Sequence, residues 1–208
     1  MPSVTEQRRE REKEQRRQDI LDAARSVFWQ RGYAGTTMPD IAEAAELAPG
    51  TLYLYFPSKQ ALYAELLVEG YDVLIARLAE RLAQDGPPQQ MAEALMDAFF
   101  QFAEDCPEYF DVIFFVLQRE GTNTRAGALE PEQLARLQTK EDECKAMVAR
   151  VLHEAGYNGE PQRVQDRIDA AWSMLVGTVF YFRKAGEEKF ASVVREARRL
   201  LVDAVFGR

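Results

Sequence analysis

The residues best placed for binding chemistry lie between positions 36 and 59 of this 208-residue chain. Two threonines open the stretch, and Thr51, Tyr53 and Tyr55 follow before a lysine at position 59. Threonine and tyrosine hydroxyls form hydrogen bonds with phosphates or base edges, and apolar side chains contact thymine methyl groups. A lysine beside a helix N-terminus favours a phosphate. These residue types therefore indicate binding to a nucleic acid.

The first helix that must position these side chains begins after a capping signal. Thr37 can accept a hydrogen bond from the first turn, and Asp40, three residues later, completes a capping box. Pro39 lies in the first turn, where its missing N–H is harmless. The apolar residues that follow at helical spacing predict a buried face: Ile41, Ala42 and Ala45.

A second short helix is predicted after a turn at residues 46–48. Pro49 suits its first position, and Leu52 and Phe56 are spaced to point inward. The opposite face then carries hydroxyls and aromatic edges without a full charge. Ser58 can cap the long helix that follows.

This stretch resembles the DNA-binding signature of the TetR (tetracycline-repressor) family of bacterial transcriptional regulators. The resemblance rests on Thr36-Thr37, Ile41-Ala42, Ala45 and the run GTLYLYFPSK at residues 50–59, and it covers about the first third of the chain. It implies a helix-turn-helix whose second helix reads the major groove, with Lys59 on a backbone phosphate. By this resemblance, the following residues would face DNA: Thr36, Thr37, Pro49, Gly50, Thr51, Tyr53, Leu54, Tyr55 and Lys59. Packing between helices is the alternative for the two tyrosines.

Two positions differ from the common pattern of the family. Glu46 stands where a glycine is usual in the turn, and Ala48 stands where a serine or threonine usually caps the second helix. Neither change removes a DNA contact. Alanine in a capping position is expected to weaken the helix by about 1 kcal/mol.

The charge distribution shapes what this DNA-binding segment can do. The chain has a net charge of −8, yet residues 1–60 hold as many basic as acidic residues, so the excess of acid lies in the remainder. The affinity of a neutral segment for DNA must depend on a few specific contacts, and a dimer would double the number of these contacts. Residues 5–31 are predicted to form a charged helix. Its arginines can follow the duplex backbone or enter a minor groove, or the arm can be a solvated tail.

Catalytic and metal chemistry find little support in the sequence. It contains no G-x-S-x-G elbow, P-loop or H-E-x-x-H motif, and His153 is its only histidine, so we expect no enzyme, cofactor or metal site. Cys106 and Cys144 form no C-x-x-C pair and suit a reduced compartment. The N-terminus is charged, and the longest apolar run, residues 170–182, is too short for a bilayer. We therefore expect a cytoplasmic protein.

Helical periodicity along the whole chain predicts an all-α fold with two domains. We expect an N-terminal three-helix DNA-binding domain with a charged arm at residues 1–60, and a helical effector-binding and dimerisation domain at residues 61–208. A helix at residues 58–83, ~35–40 Å long, would join them. Movement of its far end would then shift the end that reads DNA.

The last two predicted helices carry the clearest apolar stripes. In TetR-like proteins this pair forms a four-helix bundle with a second subunit, and Ala170, Ser173 and Gly177 offer small residues for close approach. The alternative is that the pair only closes the core of its own subunit. Since half-sites about one helical turn apart need two readers, we expect a homodimer.

The middle helices are expected to enclose a hydrophobic or aromatic small molecule, or one with an acyl chain. Aromatic residues at helical spacing also fit an ordinary core. The candidates for a pocket are Phe99, Phe102, Tyr109, Phe110, Ile113, Phe114, Leu117, Met147, Trp172 and Phe180.

With the resemblance, these features predict a homodimeric repressor that a hydrophobic effector releases from a palindromic operator. An architectural DNA-binding protein without an effector is one alternative. A helical ligand-binding module with vestigial DNA helices is another. Loss of operator binding on adding a ligand favours the repressor, DNA binding that no ligand changes favours the architectural protein, and no sequence preference favours the vestigial module.

Overall fold

A computed structural model of the protein describes residues 3–84, 86–116, 129–157 and 159–206. Every regular element in these residues is helical, which confirms the predicted all-α class. The stretch EGTNTRAGA at residues 120–128, whose composition predicts a loop, lies outside the described residues, as does the pocket candidate Leu117. The helices are α1 (Val4–Arg31), α2 (Met38–Ala44), α3 (Pro49–Tyr55), α4 (Lys59–Leu82), α5 (Pro88–Asp105), α6 (Pro107–Asp111), α7 (Pro131–Glu154), α8 (Pro161–Phe182) and α9 (Glu187–Phe206).

The chain divides into two compact units with a boundary inside α4. The first unit runs to Leu67 and includes the start of α7 as far as Gln133; the second contains Val68 and most of the residues after it. The boundary at residue 60 that we expect from the sequence stays a prediction.

Helices α1 to α4 each contribute at least one fully buried apolar residue to the core of the first unit. Ile20 on α1, Ile41 on α2, Leu52 on α3 and Leu62 on α4 have no exposed surface. Helix α1 begins at a capping box, in which the Ser3 hydroxyl accepts from a backbone N–H and the Glu6 carboxylate accepts from the Ser3 N–H. The predicted apolar faces of these helices therefore meet in a single small core.

Helices α5, α6 and α8 of the second unit meet in an aromatic cluster. The ring centroid of Phe99 lies 5.8 Å from those of Phe110 and Phe114 and 5.4 Å from that of Trp172. Helix α6 continues into a π-helical turn at Val112–Val116. Helix α9 packs on α8 and on α5, which closes this side of the unit.

Most of the residues expected to line an effector pocket belong to this core. Tyr109 and Met147 are half-buried, and Phe180 is 43% exposed with its ring against Tyr181. Contact of any of them with an effector stays a prediction. The remaining described candidates are buried: Phe99, Phe102, Phe110, Ile113, Phe114 and Trp172.

The cysteines and acidic residues of the described chain form no obvious reactive centre. Both cysteines are free thiols, and burial raises the pKa of Cys144 to about 12, which keeps that thiol protonated and inert. Within the described ranges, no group of three metal-ligating side chains could hold a metal ion. None of the helices described is long and apolar enough to cross a membrane.

Candidate functional site

The N-terminus of α2 is fixed by the capping box that the sequence predicts. The Thr37 N–H donates to the Asp40 carboxylate at 2.8 Å, and the Thr37 hydroxyl accepts from the Asp40 N–H at 3.4 Å. Arg31, at the end of α1, forms an ion pair with the same carboxylate at 2.8 Å. Hydrogen bonds from Thr37, helped by the charge of Arg31, lower the pKa of Asp40. Three charged or polar groups thus hold α2 against the end of α1.

The turn between α2 and α3 keeps the geometry of a glycine turn although a glutamate occupies it. Glu46 has a φ of +54°, in the left-handed region. The Leu47 N–H donates to the Ala42 carbonyl at 2.8 Å, and the Glu46 N–H donates to the Glu43 carbonyl at 3.1 Å. This pair of hydrogen bonds defines a Schellman motif, in which the left-handed position favours glycine. The departure at position 46 therefore stores strain but leaves the turn intact.

Helix α3 is anchored from below and lacks a side-chain cap. Leu52 and Phe56 are buried, as predicted, and they orient the helix on the core of the first unit. Ala48 occupies the N-cap position without a side-chain hydrogen bond, and Pro49 begins the helix. Packing rather than capping therefore stabilises this short helix.

The outer face of α3 presents most of the residues expected to contact DNA. Tyr53 is 49% exposed and Leu54 is 84% exposed, which is unusual for side chains of this size. Gly50 has an ordinary φ, and a Cβ there would meet nothing within 4 Å, so the fold itself does not require glycine. A glycine without an internal reason leaves space for a partner to come close. Pro49 and Thr37 are exposed as well, and Thr51 and Tyr55 are half-buried.

Thr36 and Lys59 have internal partners, which differs from the expectation that they face DNA. Thr36 is fully buried, and its hydroxyl donates to the Gly32 carbonyl at 2.8 Å. The Lys59 ammonium donates to the carbonyls of Tyr33 and Thr36, both at 2.8 Å, and lies 4.2 Å from the centre of the Tyr33 ring. Lys59 therefore clamps the connection between α1 and α2 onto the start of α4.

Two supporting contacts of this unit are not evident from the sequence. The rings of Phe28, Tyr33 and Tyr63 pack together, with 4.7 Å between the centroids of the two tyrosines. The Arg17 guanidinium lies 4.9 Å from the centre of the Phe56 ring and forms an ion pair with Glu65. Each contact joins elements that are distant in sequence, so helical spacing gives no signal of it.

The reading segment carries an unusual charge for a surface that meets DNA. Residues 38–56 contain three carboxylates, at Asp40, Glu43 and Glu46, and no lysine or arginine. The basic groups nearest in sequence are Arg31, which is paired with Asp40, and Lys59, which holds the connection after α1. Binding by this face must therefore come from shape, hydroxyls and apolar contacts more than from charge.

Comparisons with known proteins agree with this geometry. Residues 20–66 match the family model described as bacterial regulatory proteins, tetR family. The chain is 33% identical over 102 residues to the HTH-type transcriptional activator FasR of Mycolicibacterium smegmatis, covering 49% of this chain and 47% of that protein. It is 35% identical over 86 residues to the HTH-type transcriptional repressor KstR2 of Rhodococcus jostii, covering 41% and 42%. The matched region thus spans less than half the length of each of these relatives.

Solved structures extend the similarity to nearly the whole chain at the level of the fold. The ketosteroid transcriptional regulator KstR2 of Mycobacterium tuberculosis superposes with a TM-score of 0.65, at 24% identity, over 91% of this chain and 94% of that one. This likeness confirms the predicted arrangement of an N-terminal helix-turn-helix followed by a helical domain. The resemblance read from residues 36–59 is confirmed by the family match.

Proposed function

Because residues 20–66 form a helix-turn-helix domain of the tetR family, we propose that this protein is a homodimeric, ligand-responsive transcriptional regulator. It acts as a repressor that occupies a palindromic operator and leaves it when a hydrophobic small molecule binds. One observation carries the proposal. Helix α3 exposes Tyr53 and Leu54 on its outer face, while Leu52 and Phe56 fix its inner face to the core.

The DNA contacts that we propose come from the exposed or half-exposed residues at α2 and α3. The Tyr53 and Thr51 hydroxyls bond phosphates or base edges, and Leu54 and Pro49 contact thymine methyl groups. Gly50 lets the start of α3 approach the duplex closely. Lys59 contributes indirectly, because it holds the segment before α2 in place, and its charge adds to the field at the backbone.

A homodimer through α8 and α9 is supported by the surface of these helices. Tyr181 is 72% exposed and Leu200 is 45% exposed, and large apolar side chains on a helix surface commonly mark an interface. A Cβ at Gly177, in the middle of α8, would meet nothing within 4 Å, so a partner helix has room to approach. Ala170 and Ser173 extend this strip of small exposed residues along the helix.

Regulators similar to this chain include both activators and repressors. One relative is named an activator and another a repressor, and both match the DNA-binding part of this chain. We assign repression because an effector can favour a conformer in which the two DNA-binding domains no longer match their half-sites. Such a conformer releases the operator. The KstR2 structure is named a ketosteroid regulator, which supports a hydrophobic effector class for proteins of this fold.

Selection of genomic fragments by the purified protein tests the proposal. We expect enrichment of a palindromic site, with half-sites about one helical turn or a multiple of it apart, and a dimer in gel filtration. Screening hydrophobic compounds for release of the selected fragment then tests the response. Enrichment without any sequence preference, or a strict monomer at micromolar concentration, would contradict the proposal.

A further inference from the structure

A cavity of about 250 Å³ lies in the second unit among α4, α5, α7, α8 and α9. Its floor contains buried residues such as Leu95 and Val151, and its rim contains the exposed residues Met174 and Leu200. The cavity therefore opens between α8 and α9, on the face that the proposed homodimer uses. Of the described pocket candidates from the sequence, Phe99 and Trp172 line it. The cavity thus borders the aromatic cluster, to which both residues belong.

Arg167 is the single charged residue among those that line the cavity. Its guanidinium lies 4.2 Å from the centre of the Tyr157 ring and donates one hydrogen bond of 3.1 Å to the Ala204 carbonyl. No carboxylate in the described parts of the chain forms an ion pair with it. Most of its N–H donors are therefore available at the cavity rim.

Two arginines of α9, and Arg183 directly after α8, each have a carboxylate partner. Arg183 pairs with Asp111, Arg198 pairs with Asp97, and Arg199 pairs with Glu196. A guanidinium at an apolar opening without such a partner is suited to a carboxylate, which it can hold by two parallel hydrogen bonds.

We propose that this cavity binds a medium-chain carboxylate, with its alkyl chain inside and its carboxylate on Arg167. The walls suit a chain of methylene groups because every other lining residue is Leu, Val, Ala, Met, Phe or Trp. At ~30 Å³ for a water-sized group, the volume accommodates about eight carbons. A cationic ligand would be repelled by Arg167. The role of the carboxylate as an effector rests on the proposed function. Its binding to the cavity does not, because that binding requires no DNA.

Calorimetric titration of the full-length protein with octanoate and with 1-octanol tests the site. We expect octanoate to bind with a dissociation constant on the order of 100 µM and 1-octanol to bind several-fold more weakly. Arg167→Gln keeps a donor for the Ala204 carbonyl but removes the charge. It should weaken octanoate binding about fivefold, as for an exposed ion pair, and leave 1-octanol binding unchanged.

Arg163→Gln is the matched control, because Arg163 is exposed one turn earlier on α8 and does not line the cavity. It should bind octanoate as the parent does. Equal weakening by both substitutions, or no octanoate binding at millimolar concentration, would overturn the inference.

Tryptophan fluorescence locates the ligand. The chain has two tryptophans, so Trp29→Phe leaves Trp172 at the cavity wall as the reporter. Octanoate should change its emission at the concentrations at which heat is released, and an unchanged emission would place the ligand elsewhere and refute the site. A protein that binds its operator but not octanoate would refute this inference alone. One that binds octanoate but no DNA would refute the proposed function alone.

Discussion

The side-chain nitrogen of Lys59 donates a hydrogen bond of 2.8 Å to the carbonyl oxygen of Thr36, 23 residues earlier in the chain. A second bond of equal length reaches the Tyr33 carbonyl. The first turn of α4 therefore sets the path of the backbone that leads into the capping box of α2. The orientation of α3 depends on this path, because α2 and α3 pack together.

Lys59→Met should destabilise the first unit. Loss of the ammonium leaves the Thr36 carbonyl without this donor, and leaves the Tyr33 carbonyl with only the longer bond of 3.4 Å from the Thr36 N–H. We expect a cost of about 1–3 kcal/mol in the free energy of unfolding. Urea denaturation measures this cost. Lys13→Met, at an exposed position of α1, is the control and should change little. If Lys59 also contacts a DNA phosphate, Lys59→Met should reduce the slope of the logarithm of the binding constant against the logarithm of the salt concentration by about 1. Unchanged stability would contradict the clamp.

Glu46→Gly should stabilise the protein by about 1 kcal/mol, since glycine adopts a φ of +54° without the steric cost of a Cβ atom. Thermal and urea unfolding measure the gain. Glu46→Ala removes the same carboxylate but keeps the Cβ, so it separates charge from backbone strain and should give no comparable gain. Equal stabilisation by both substitutions would assign the effect to charge.

Asp40→Ala should make the dependence of stability on pH shallower at the acidic end. The pKa of Asp40 is lowered in the folded state by the Thr37 hydrogen bonds and by Arg31. Its contribution is therefore present above the ordinary value of 3.8 and is lost as the pH falls through the lower folded pKa. Melting temperatures of parent and variant should differ at pH 7 and converge in acid. Glu43→Ala, exposed on α2, should show no such convergence.

Gly50→Ala should separate DNA binding from stability. The added methyl group meets nothing inside the protein and favours a helix, so stability should stay the same or rise by ~0.5–1 kcal/mol. Affinity for the selected operator should fall, because the methyl group keeps α3 away from the duplex. Fluorescence anisotropy measures the affinity. Undiminished binding would remove Gly50 from the proposed interface.

Tyr53→Phe should weaken operator binding about fivefold, as expected for the loss of one hydrogen bond, with little change in unfolding. The hydroxyl lies on a half-exposed ring, so the fold does not depend on it. Tyr157→Phe removes a hydroxyl from a half-buried tyrosine outside the proposed DNA and dimer contacts, and it serves as the control in the same anisotropy assay. A variant at position 53 that binds as the parent does would assign this tyrosine to packing.

Local signals in the sequence were sufficient for the helices that form the reading surface. The capping box at Thr37 and Asp40, the proline that opens α3 and the inward positions of Leu52 and Phe56 depend only on neighbours within one or two turns. The Lys59 clamp was beyond such reasoning, because it joins residues more than 20 positions apart.

The cavity in the second unit illustrates a different limit. Helical periodicity identified Phe99 and Trp172 as inward-facing residues, and both are buried. Whether inward-facing residues fill the space between helices depends on how neighbouring helices diverge, and that is a property of packing. Helical periodicity therefore identified two residues that line the cavity but did not predict the cavity itself. Arg167 gave no sequence signal, since its role depends on the cavity.

The carboxylates of residues 38–56 have a consequence for how such a protein would search a chromosome. A segment whose only charged residues are three carboxylates, one of them paired with Arg31, gains little from counterion release, so random duplex would hold it briefly. Most molecules of the protein would then diffuse freely. Their residence time on DNA would be long only at sites where both subunits bind a matching half-site. Low background occupancy would let a small number of molecules control their site.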